Sequence, residues 1–251
     1  MSLIILSILI LCHLFFFIAY KTDKFSVMDI AWGLGFVLVA IVAYLSNYPS
    51  WPKLLLLIMV SCWGLRLAYY IFTRSKGKGE DPRYQKYKDQ WGVDYLKQGY
   101  LKVFLAQGAM MFVISLPVQL GMSRDMDHFG KLQILGFIIW LTGFSLEVWA
   151  DWHLNRFKND PANRGKICTT GPWTFVRFPN YLGEMILWWG VYIYIINFWT
   201  AWTIIGPVAI MMSLLKVTGI PLIEQKYMER AEYREYATRV SRLLPFLKPR
   251  S

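Results

Sequence analysis

The chain has 251 residues, of which 56% are hydrophobic and only 17% are charged, and its formal net charge is +11. A soluble domain carries charge on about a quarter of its residues, so this composition excludes an ordinary soluble protein. The basic residues lie between apolar segments instead of together on one polar face, which argues against nucleic-acid binding as the reason for the positive charge.

Seven apolar segments predict an all-α, polytopic integral membrane protein with about seven transmembrane helices, because a helix that crosses a bilayer needs about 20 mostly apolar residues. In chain order the segments cover about 3–20, 27–45, 51–72, 103–122, 132–149, 180–196 and 201–218. An interfacial helix is expected at about 82–90, within the longest polar connection. The whole chain, 1–251, is predicted to form a single membrane domain.

The cysteines predict neither a disulfide framework nor a metal site. Cys12, Cys62 and Cys168 show no paired spacing, and two of them lie inside apolar segments. Residues 2–20 are interpreted as a first spanning helix and not as a signal peptide, because no positive segment precedes them and no small-residue cleavage site follows.

The distribution of Lys and Arg predicts the orientation in the membrane. Most of the 27 Lys and Arg residues lie in the segments 21–24, 74–102, 151–177 and 216–250. The opposite side carries only Lys53, Arg124 and Lys131. The positive-inside rule therefore places the N-terminus outside and the C-terminus in the cytoplasm, as in a bacterial inner or plasma membrane.

Several polar residues fall inside the apolar segments or at their ends, where ionisable groups are functional candidates. They are Asp29, Arg66, Gln107, Glu147, Asp151 and Glu184. Asp29, Gln107 and Asp151 have a structural alternative as hydrogen-bonding residues near helix ends. Arg66 and Glu147 lie several residues inside their segments, and their structural alternative is a buried ion pair with each other.

The segment 171–190 combines a loop, a cation and the start of an apolar helix. Pro179 suits the first turn of a helix, so Asn180 and Glu184, four residues apart, are expected on one helical face. Free N–H groups at the helix start, with Arg177 beside them, favour an anionic ligand. The alternative is an interfacial helix with Arg177 among lipid headgroups and Asn180 as a cap.

The predicted cytoplasmic side carries side chains that suit a phosphorylated dinucleotide. The cations that can contact phosphate oxygens are Arg74, Arg83, Lys158, Arg164, Lys166 and Arg177. Asp151, Asn180 and Glu184 can hydrogen-bond to ribose and carboxamide groups. The aromatic rings that can cover a flat ring are Tyr84, Trp173, Tyr181 and Tyr227.

The second half of the chain resembles the C-terminal domain of the steroid 5-alpha-reductases, and the whole chain resembles the bacterial DUF1295 membrane proteins of that superfamily. The segments that carry the resemblance in the second half are 147–154, 171–175, 177–184 and 243–246. In the first half they are 29–33, 63–67, Arg74 and 80–84.

This resemblance implies an NADPH-dependent reduction of an activated carbon–carbon double bond in a lipid, typically a 3-oxo-4-ene. It implies a substrate side in 1–130 and a cofactor side in 131–251, with membrane lipids and a steroid-like or other hydrophobic enone as partners. The residues expected to bind the cofactor are Arg74, Glu147, Asp151, Lys158, Arg164, Lys166, Arg177, Asn180, Tyr181, Glu184 and Tyr227.

In such reductases a tyrosine on the third helix contacts the substrate carbonyl, and this chain has Trp63 there. An indole N–H donates a hydrogen bond but supplies no proton. Asp29 is the counterpart of the glutamate that partners that tyrosine. The expected catalytic residues are therefore Asp29, Trp63 and Arg66, and the substrate is expected to be a steroid-like or other lipid enone.

Two alternatives remain open from the sequence. Isoprenylcysteine and phospholipid methyltransferases, which use S-adenosylmethionine, share an Arg-x-Pro-x-Tyr-x-Gly signature that 177–183 matches. They usually place His before the Pro, where this chain has Phe178, and Asn180 with Glu184 is the reductase arrangement. The other alternative is a lipid-binding membrane protein without catalytic activity, which Trp63 favours.

Overall fold

The computed structural model describes residues 1–245, and within this range the regular structure is entirely helical. The predicted all-α fold class is therefore confirmed. The chain divides into two compact units, one formed by Met1–Gly130 with Ile195–Gly206 and the other by Lys131–Tyr194 with the chain from Pro207 onward. They are called unit 1 and unit 2 below.

Unit 1 contains the first seven α-helices, a π-helical segment at Tyr100–Leu105 and 3₁₀ turns at Gly92–Asp94 and Ala201–Ile204. The α-helices are α1 (Ser2–Thr22), α2 (Val27–Leu45), α3 (Trp51–Ser75), α4 (Pro82–Trp91), α5 (Tyr95–Gly99), α6 (Ala106–Ile114) and α7 (Leu116–Ser123).

Unit 2 contains the long helix α8, the shorter α9 and the helices of the C-terminal part. They are α8 (Lys131–Asn159), α9 (Pro179–Ile195), α10 (Ile205–Met212, which begins in unit 1), α11 (Ile220–Tyr227) and α12 (Ala231–Arg239). A π-helical segment at Ser213–Val217 follows α10, and 3₁₀ turns occupy Pro161–Asn163 and Gly171–Thr174.

The membrane-spanning helices agree broadly with the prediction of about seven. Among the described residues, 5 helical segments are long and apolar enough to cross a membrane. They are Ser2–Thr22, Val27–Leu45, Trp51–Ser75, Lys131–Asn159 and Ala201–Tyr227. The pair Pro82–Ile114 and Leu116–Ser123, bent by 47°, raises the number to 6. The apolar helix α9, with 17 residues, corresponds to the remaining predicted span.

The predicted fourth span, 103–122, is broken in the structure. Helix α6 ends at Ile114 and α7 begins at Leu116, because Pro117 has no N–H to donate and its ring clashes with the preceding turn. Gln119, which is buried, donates from Nε2 to the Phe112 carbonyl oxygen at 3.0 Å and to Ser115 Oγ at 2.9 Å. The side-chain amide thus replaces main-chain hydrogen bonding at the bend.

Helix α8 is longer than the predicted fifth span, which ended near 149. It continues to Asn159, so that Glu147, Asp151 and His153 lie within a helix and not at its end. The reason is that 150–159 contains neither Gly nor Pro, and the first residue that opposes helical geometry is Asp160, which precedes Pro161.

Close contact between helix backbones organises both units. In unit 1, a Cβ atom placed on Gly33 of α2 would lie 2.4 Å from the Gly64 carbonyl oxygen of α3. In unit 2, a Cβ on Gly136 would lie 2.4 Å from the Tyr194 nitrogen, and one on Gly190 would lie 2.4 Å from the Trp140 nitrogen. Only glycine permits approaches of this kind, which are common where helices pack in membranes.

The close α8–α9 contact continues as far as the polar residues. A Cβ on Gly143 of α8 would lie 2.5 Å from the Leu187 nitrogen and 2.6 Å from the Gly183 carbonyl oxygen. A Cβ on Gly183 would in turn lie 2.7 Å from the Glu147 nitrogen. The two glycines therefore determine how closely the polar ends of α8 and α9 approach each other.

Replacing Gly143 by Ala is expected to destabilise the protein, because the new methyl group would meet backbone atoms that cannot move independently. Overpacking of this kind costs about 1–3 kcal/mol. Thermal unfolding in detergent measures the loss. Gly79→Ala is the control, since no atom of residues 1–245 lies within 4 Å of a Cβ at Gly79. Equal unfolding temperatures for the Gly143 variant and the wild type would contradict the close helix contact.

Candidate functional site

The loop between α3 and α4 is anchored to the start of α2 by Glu80. Glu80 Oε2 accepts from the Phe25 N–H at 2.5 Å, and Oε1 accepts from the Ser26 N–H at 3.1 Å. N–H groups at a helix start have no intrahelical acceptor, and a carboxylate there also suits the helix dipole. The buried ammonium of Lys88 lies 3.4 Å from Glu80 and 2.8 Å from Asp23. Glu80 is thus held as a buried ion pair that joins α2 to α4.

This anchoring brings the first turn of α4 to Asp29 of α2. Tyr84 donates from its hydroxyl to Asp29 Oδ1 at 2.5 Å, and Arg83 donates from Nη2 to Asp29 Oδ2 at 2.8 Å. Gln107 Nε2 donates to the Tyr84 hydroxyl oxygen at 3.2 Å. One carboxylate, one phenol and one guanidinium therefore form a connected group in unit 1, which is called the Asp29–Tyr84 cluster below.

Asp81 adds a second carboxylate beside the Arg83 guanidinium of this cluster. It caps α4 by accepting from the Arg83 N–H at 2.9 Å, and it also accepts from Arg83 Nε at 2.9 Å. Burial alone would raise the pKa of Asp81, but the hydrogen bonds and charge of Arg83 outweigh burial and lower that pKa below its usual value. Asp81 therefore stays ionised and holds Arg83 in place between two carboxylates.

The structure places the expected catalytic residues as follows. Asp29 lies in the cluster, and Trp63 of α3 is buried with its ring edge-on to Phe36 at 5.3 Å between centroids. Arg66 lies on α3 and is partly buried. The sequence suggested that the ring of Tyr84 could cover a flat ring of a ligand. In the structure, the Tyr84 hydroxyl donates a hydrogen bond to Asp29.

In unit 2, the polar ends of α8 and α9 form a second group, called the α8–α9 polar cluster. Its members are Glu147, Asp151, Asn180 and Glu184. Asn180 Nδ2 donates to Asp151 Oδ1 at 3.4 Å, and Glu147, Asp151 and Glu184 are buried. Three acidic side chains held inside a membrane protein need donors around them. Carboxylates and a side-chain amide offer oxygen atoms that can accept from a ligand with N–H or O–H groups.

Asn180 leaves one acceptor open to such a ligand. Because a carboxylate such as Asp151 only accepts, the contact between them identifies the amide nitrogen of Asn180 as the atom facing Asp151. The carbonyl atom, Oδ1, is buried and accepts no hydrogen bond from any residue in 1–245. A buried acceptor of this kind is costly, so a bound donor at this position would stabilise the structure.

The basic residues predicted to contact phosphate differ in their surroundings. Lys158, Arg164 and Lys166 are exposed in and beside the loop that follows α8. Burial raises the pKa of the Cys168 thiol, while hydrogen bonds from Thr170 and the charge of Lys158 offset part of that effect. The charge of Lys158 therefore lies close enough to Cys168 to affect the pKa of its thiol. Arg74 belongs to unit 1, where its guanidinium lies 5.6 Å from the Tyr70 ring centroid.

Arg177 is buried, with a side chain only 6% exposed, and Glu224 lies 3.1 Å from its Nη2. The sequence predicted a phosphate contact for Arg177, and the structure gives it an internal carboxylate partner. Tyr181 stacks on Phe178 with 6.0 Å between ring centroids, and Tyr227 lies 5.6 Å from the ring of Tyr233. Of the three tyrosines predicted to cover a flat ring, Tyr181 and Tyr227 thus pack within unit 2.

The fold and these clusters define a helical, multi-pass membrane protein with buried ionisable groups on its spanning helices. The chain belongs to the family described as protein of unknown function (DUF1295), which it matches over residues 15–240. It is 23% identical over 255 aligned residues to the uncharacterized protein C594.04c of Schizosaccharomyces pombe, covering 89% of this chain and 69% of that protein. No solved structure matches the chain.

Replacing Glu80 by Gln is expected to destabilise unit 1, because it removes a charged acceptor from two N–H groups and leaves Lys88 short of a partner. A hydrogen bond to a charged group contributes about 1.5–3 kcal/mol. The unfolding temperature in detergent reports the change. Asp89→Asn is the matched control, because Asp89 accepts an exposed side-chain hydrogen bond from Gln85. Unfolding temperatures equal to that of the wild type in both variants would show that Glu80 does not anchor the loop.

Proposed function

We propose that this protein is a membrane-embedded reductase that uses NADPH to reduce an activated carbon–carbon double bond in a lipid enone. The observation that carries the proposal is the Asp29–Tyr84 cluster. It supplies a phenol able to donate to a carbonyl oxygen, which an enone reductase requires in addition to a hydride donor. The residues resembling the steroid 5-alpha-reductases support the same reaction.

The α8–α9 polar cluster suits the cofactor. The open Asn180 Oδ1 can accept an N–H from a carboxamide, and Asp151 and Glu184 can accept from ribose hydroxyl groups. The exposed Lys158, Arg164 and Lys166 can contact phosphate oxygens. When bound, NADPH would supply the hydride that adds to the β-carbon of the enone.

Tyr84 is suited to the other half of the reaction, the stabilisation and protonation of the oxygen on which negative charge develops. Its hydroxyl accepts from Gln107 and donates to Asp29, so the O–H can turn to a substrate carbonyl while Gln107 still holds its oxygen. Arg83 lies against Asp29 and offsets its charge. Asp29 is then a positioning group that orients the phenol.

Tyr84 also supplies the proton donor that Trp63 cannot provide. The sequence provided an indole where the resemblance requires a tyrosine, and an indole supplies no proton. A phenol from α4 that reaches Asp29 of α2 supplies the missing donor from another helix. Trp63 then serves as an apolar wall, packed against Phe36.

The proposed orientation has the N-terminus outside and the C-terminus in the cytoplasm. The excess of Lys and Arg in the connections that include Lys158, Arg164 and Lys166 supports it. Under this orientation the basic loop after α8 faces the compartment that holds soluble nucleotides. The lipid enone would reach unit 1 from the membrane.

Titration with nucleotides is the first test. The purified protein in detergent is mixed with NADPH, NADH or S-adenosylmethionine, and its unfolding temperature is measured. A ligand at about 100 times its dissociation constant adds about 2.7 kcal/mol to the stability of the folded state. Stabilisation by NADPH is expected in the wild type and is expected to be lost in Asn180→Ala and Glu184→Ala.

Asn155→Ala is the control for this titration, because Asn155 lies exposed on α8. It is expected to respond to NADPH as the wild type does. Stabilisation by S-adenosylmethionine alone would refute the reductase and indicate a methyltransferase. Failure of all three ligands to stabilise the protein would indicate a lipid-binding protein without catalytic activity.

Tyr84→Phe is expected to lower kcat by about 10²–10⁴, the usual contribution of a general acid, while the Kd for NADPH stays near its wild-type value. The assay follows NADPH oxidation in detergent with a panel of lipid enones that includes a 3-oxo-4-ene sterol. Tyr87→Phe, one turn further along α4, is the matched control and is expected to retain activity. Full activity in Tyr84→Phe would exclude the phenol as the acid.

A further inference from the structure

The chain after α12 lies alongside the residues that immediately precede α9. The main-chain N–H of Arg177 donates to the Ser241 carbonyl oxygen at 2.9 Å, and the main-chain N–H of Phe178 donates to the Arg242 carbonyl oxygen at 3.2 Å. Helix α9 begins at the next residue, Pro179. The C-terminal segment therefore supplies main-chain acceptors for the two amides at the start of this helix.

Glu224 of α11 joins the same two segments through charge. It lies 3.1 Å from Arg177 Nη2 and 2.6 Å from Arg242 Nη2, and its side chain is only 9% exposed. Arg242 Nε also donates to Glu224 Oε1 at 3.1 Å. One buried carboxylate thus binds a cation from before α9 and a cation from after α12. Removal of a buried carboxylate leaves its cationic partner uncompensated, which is costly.

Helix α12 adds two tyrosine contacts to this region, and Glu224 remains the negatively charged group that faces Arg177. The Tyr236 hydroxyl donates to the Trp173 carbonyl oxygen at 2.5 Å, and the Arg177 guanidinium lies 5.9 Å from the Tyr233 ring centroid. Burial raises the pKa of Tyr233 to about 12, so this phenol stays neutral at physiological pH. The charge of Arg177 is therefore balanced by Glu224.

We infer that Glu224, Arg177 and Arg242 form a latch that holds the start of α9 in the position required for cofactor binding, with Glu224 as a positioning residue. This inference rests on the proposed function. Asn180 and Glu184 lie on the first turns of α9, directly after the two amides that the latch holds. Release of the latch frees the start of α9 and displaces Asn180, whose Nδ2 donates to Asp151, together with its open acceptor Oδ1.

The test compares Glu224→Gln with Glu235→Gln. Glu235 is the matched control, because it makes a 3.1 Å ion pair with Arg239 on α12 and both side chains are about 70% exposed. Two quantities are measured on the full chain in detergent. They are the Kd for NADPH and, without ligand, the rate of amide hydrogen exchange in the peptide 173–184.

Glu224→Gln is expected to raise the Kd for NADPH by about tenfold, within the range usual for coupling to a binding site, and to speed exchange in 173–184. Glu235→Gln is expected to change neither quantity. Arg242 is 60% exposed, so Arg242→Gln and Arg242→Lys test the latch if Glu224→Gln fails to fold. Lys keeps the charge and is expected to restore most of the affinity that Gln loses.

Faster exchange in Glu224→Gln with an unchanged Kd would overturn the positioning role, and so would equal affinities for NADPH in Arg242→Gln and the wild type. If the wild type binds no NADPH, the proposed function fails, and exchange alone then decides the latch. Loss of protection in 173–184 would support the latch, and unchanged protection would overturn it.

Discussion

Backbone contact between α8 and α9 determines where the polar side chains of unit 2 lie. Gly136 and Gly143 on one helix, with Gly183 and Gly190 on the other, recur at intervals of seven residues and bring the helix axes together along their length. In a bilayer this contact replaces the hydrophobic effect as the reason for helix association. Because the contact reaches Gly183 and Glu147, the carboxylates beyond it meet the neighbouring helix instead of lipid.

Buried acids and bases in this protein are paired between segments that lie far apart in the chain. Glu80 pairs with Lys88 and also reaches back to the start of α2, and Asp29 pairs with Arg83. Glu224 forms ion pairs with Arg177 and Arg242, which lie in two further segments. Each pairing compensates a charge that is costly to bury without a partner. Each also fixes the position of a loop, so that a requirement of stability produces the geometry that the proposed chemistry uses.

The sequence predicted the parts of this structure that depend on composition and local pattern. The apolar spans, the helix at about 82–90 and the helix that starts near Asn180 follow from hydrophobic length and from proline. Helix α8 continues beyond the predicted span, which ends near 149, because the first residue that opposes helical geometry is the one before Pro161.

The pairings could not be predicted in the same way. Asp29 and Tyr84 are separated by 55 residues, and they meet only because Glu80 carries the loop to the start of α2. Arg177 looked like a phosphate ligand, since a cation before a helix start often is one. Its partner Glu224 lies on another helix. For the contact between Asp29 and Tyr84, the available signal in the sequence was the pair of charged residues beside Pro82, together with Asp29 itself, an acid near the start of the second span.

The glycine contact between α8 and α9 also bears on how this half of the chain enters the bilayer during synthesis. Alone, α8 carries Glu147 and Asp151, and a charge within the hydrocarbon costs about 2.5–3.5 kcal/mol; α9 carries Glu184 on only 17 residues. Each helix is a poor candidate for independent insertion, and the glycine contact brings the first turns of α9 to Glu147 and Asp151 of α8. The two helices are therefore expected to leave the translocon as a hairpin, with α8 retained there until α9 has been synthesised.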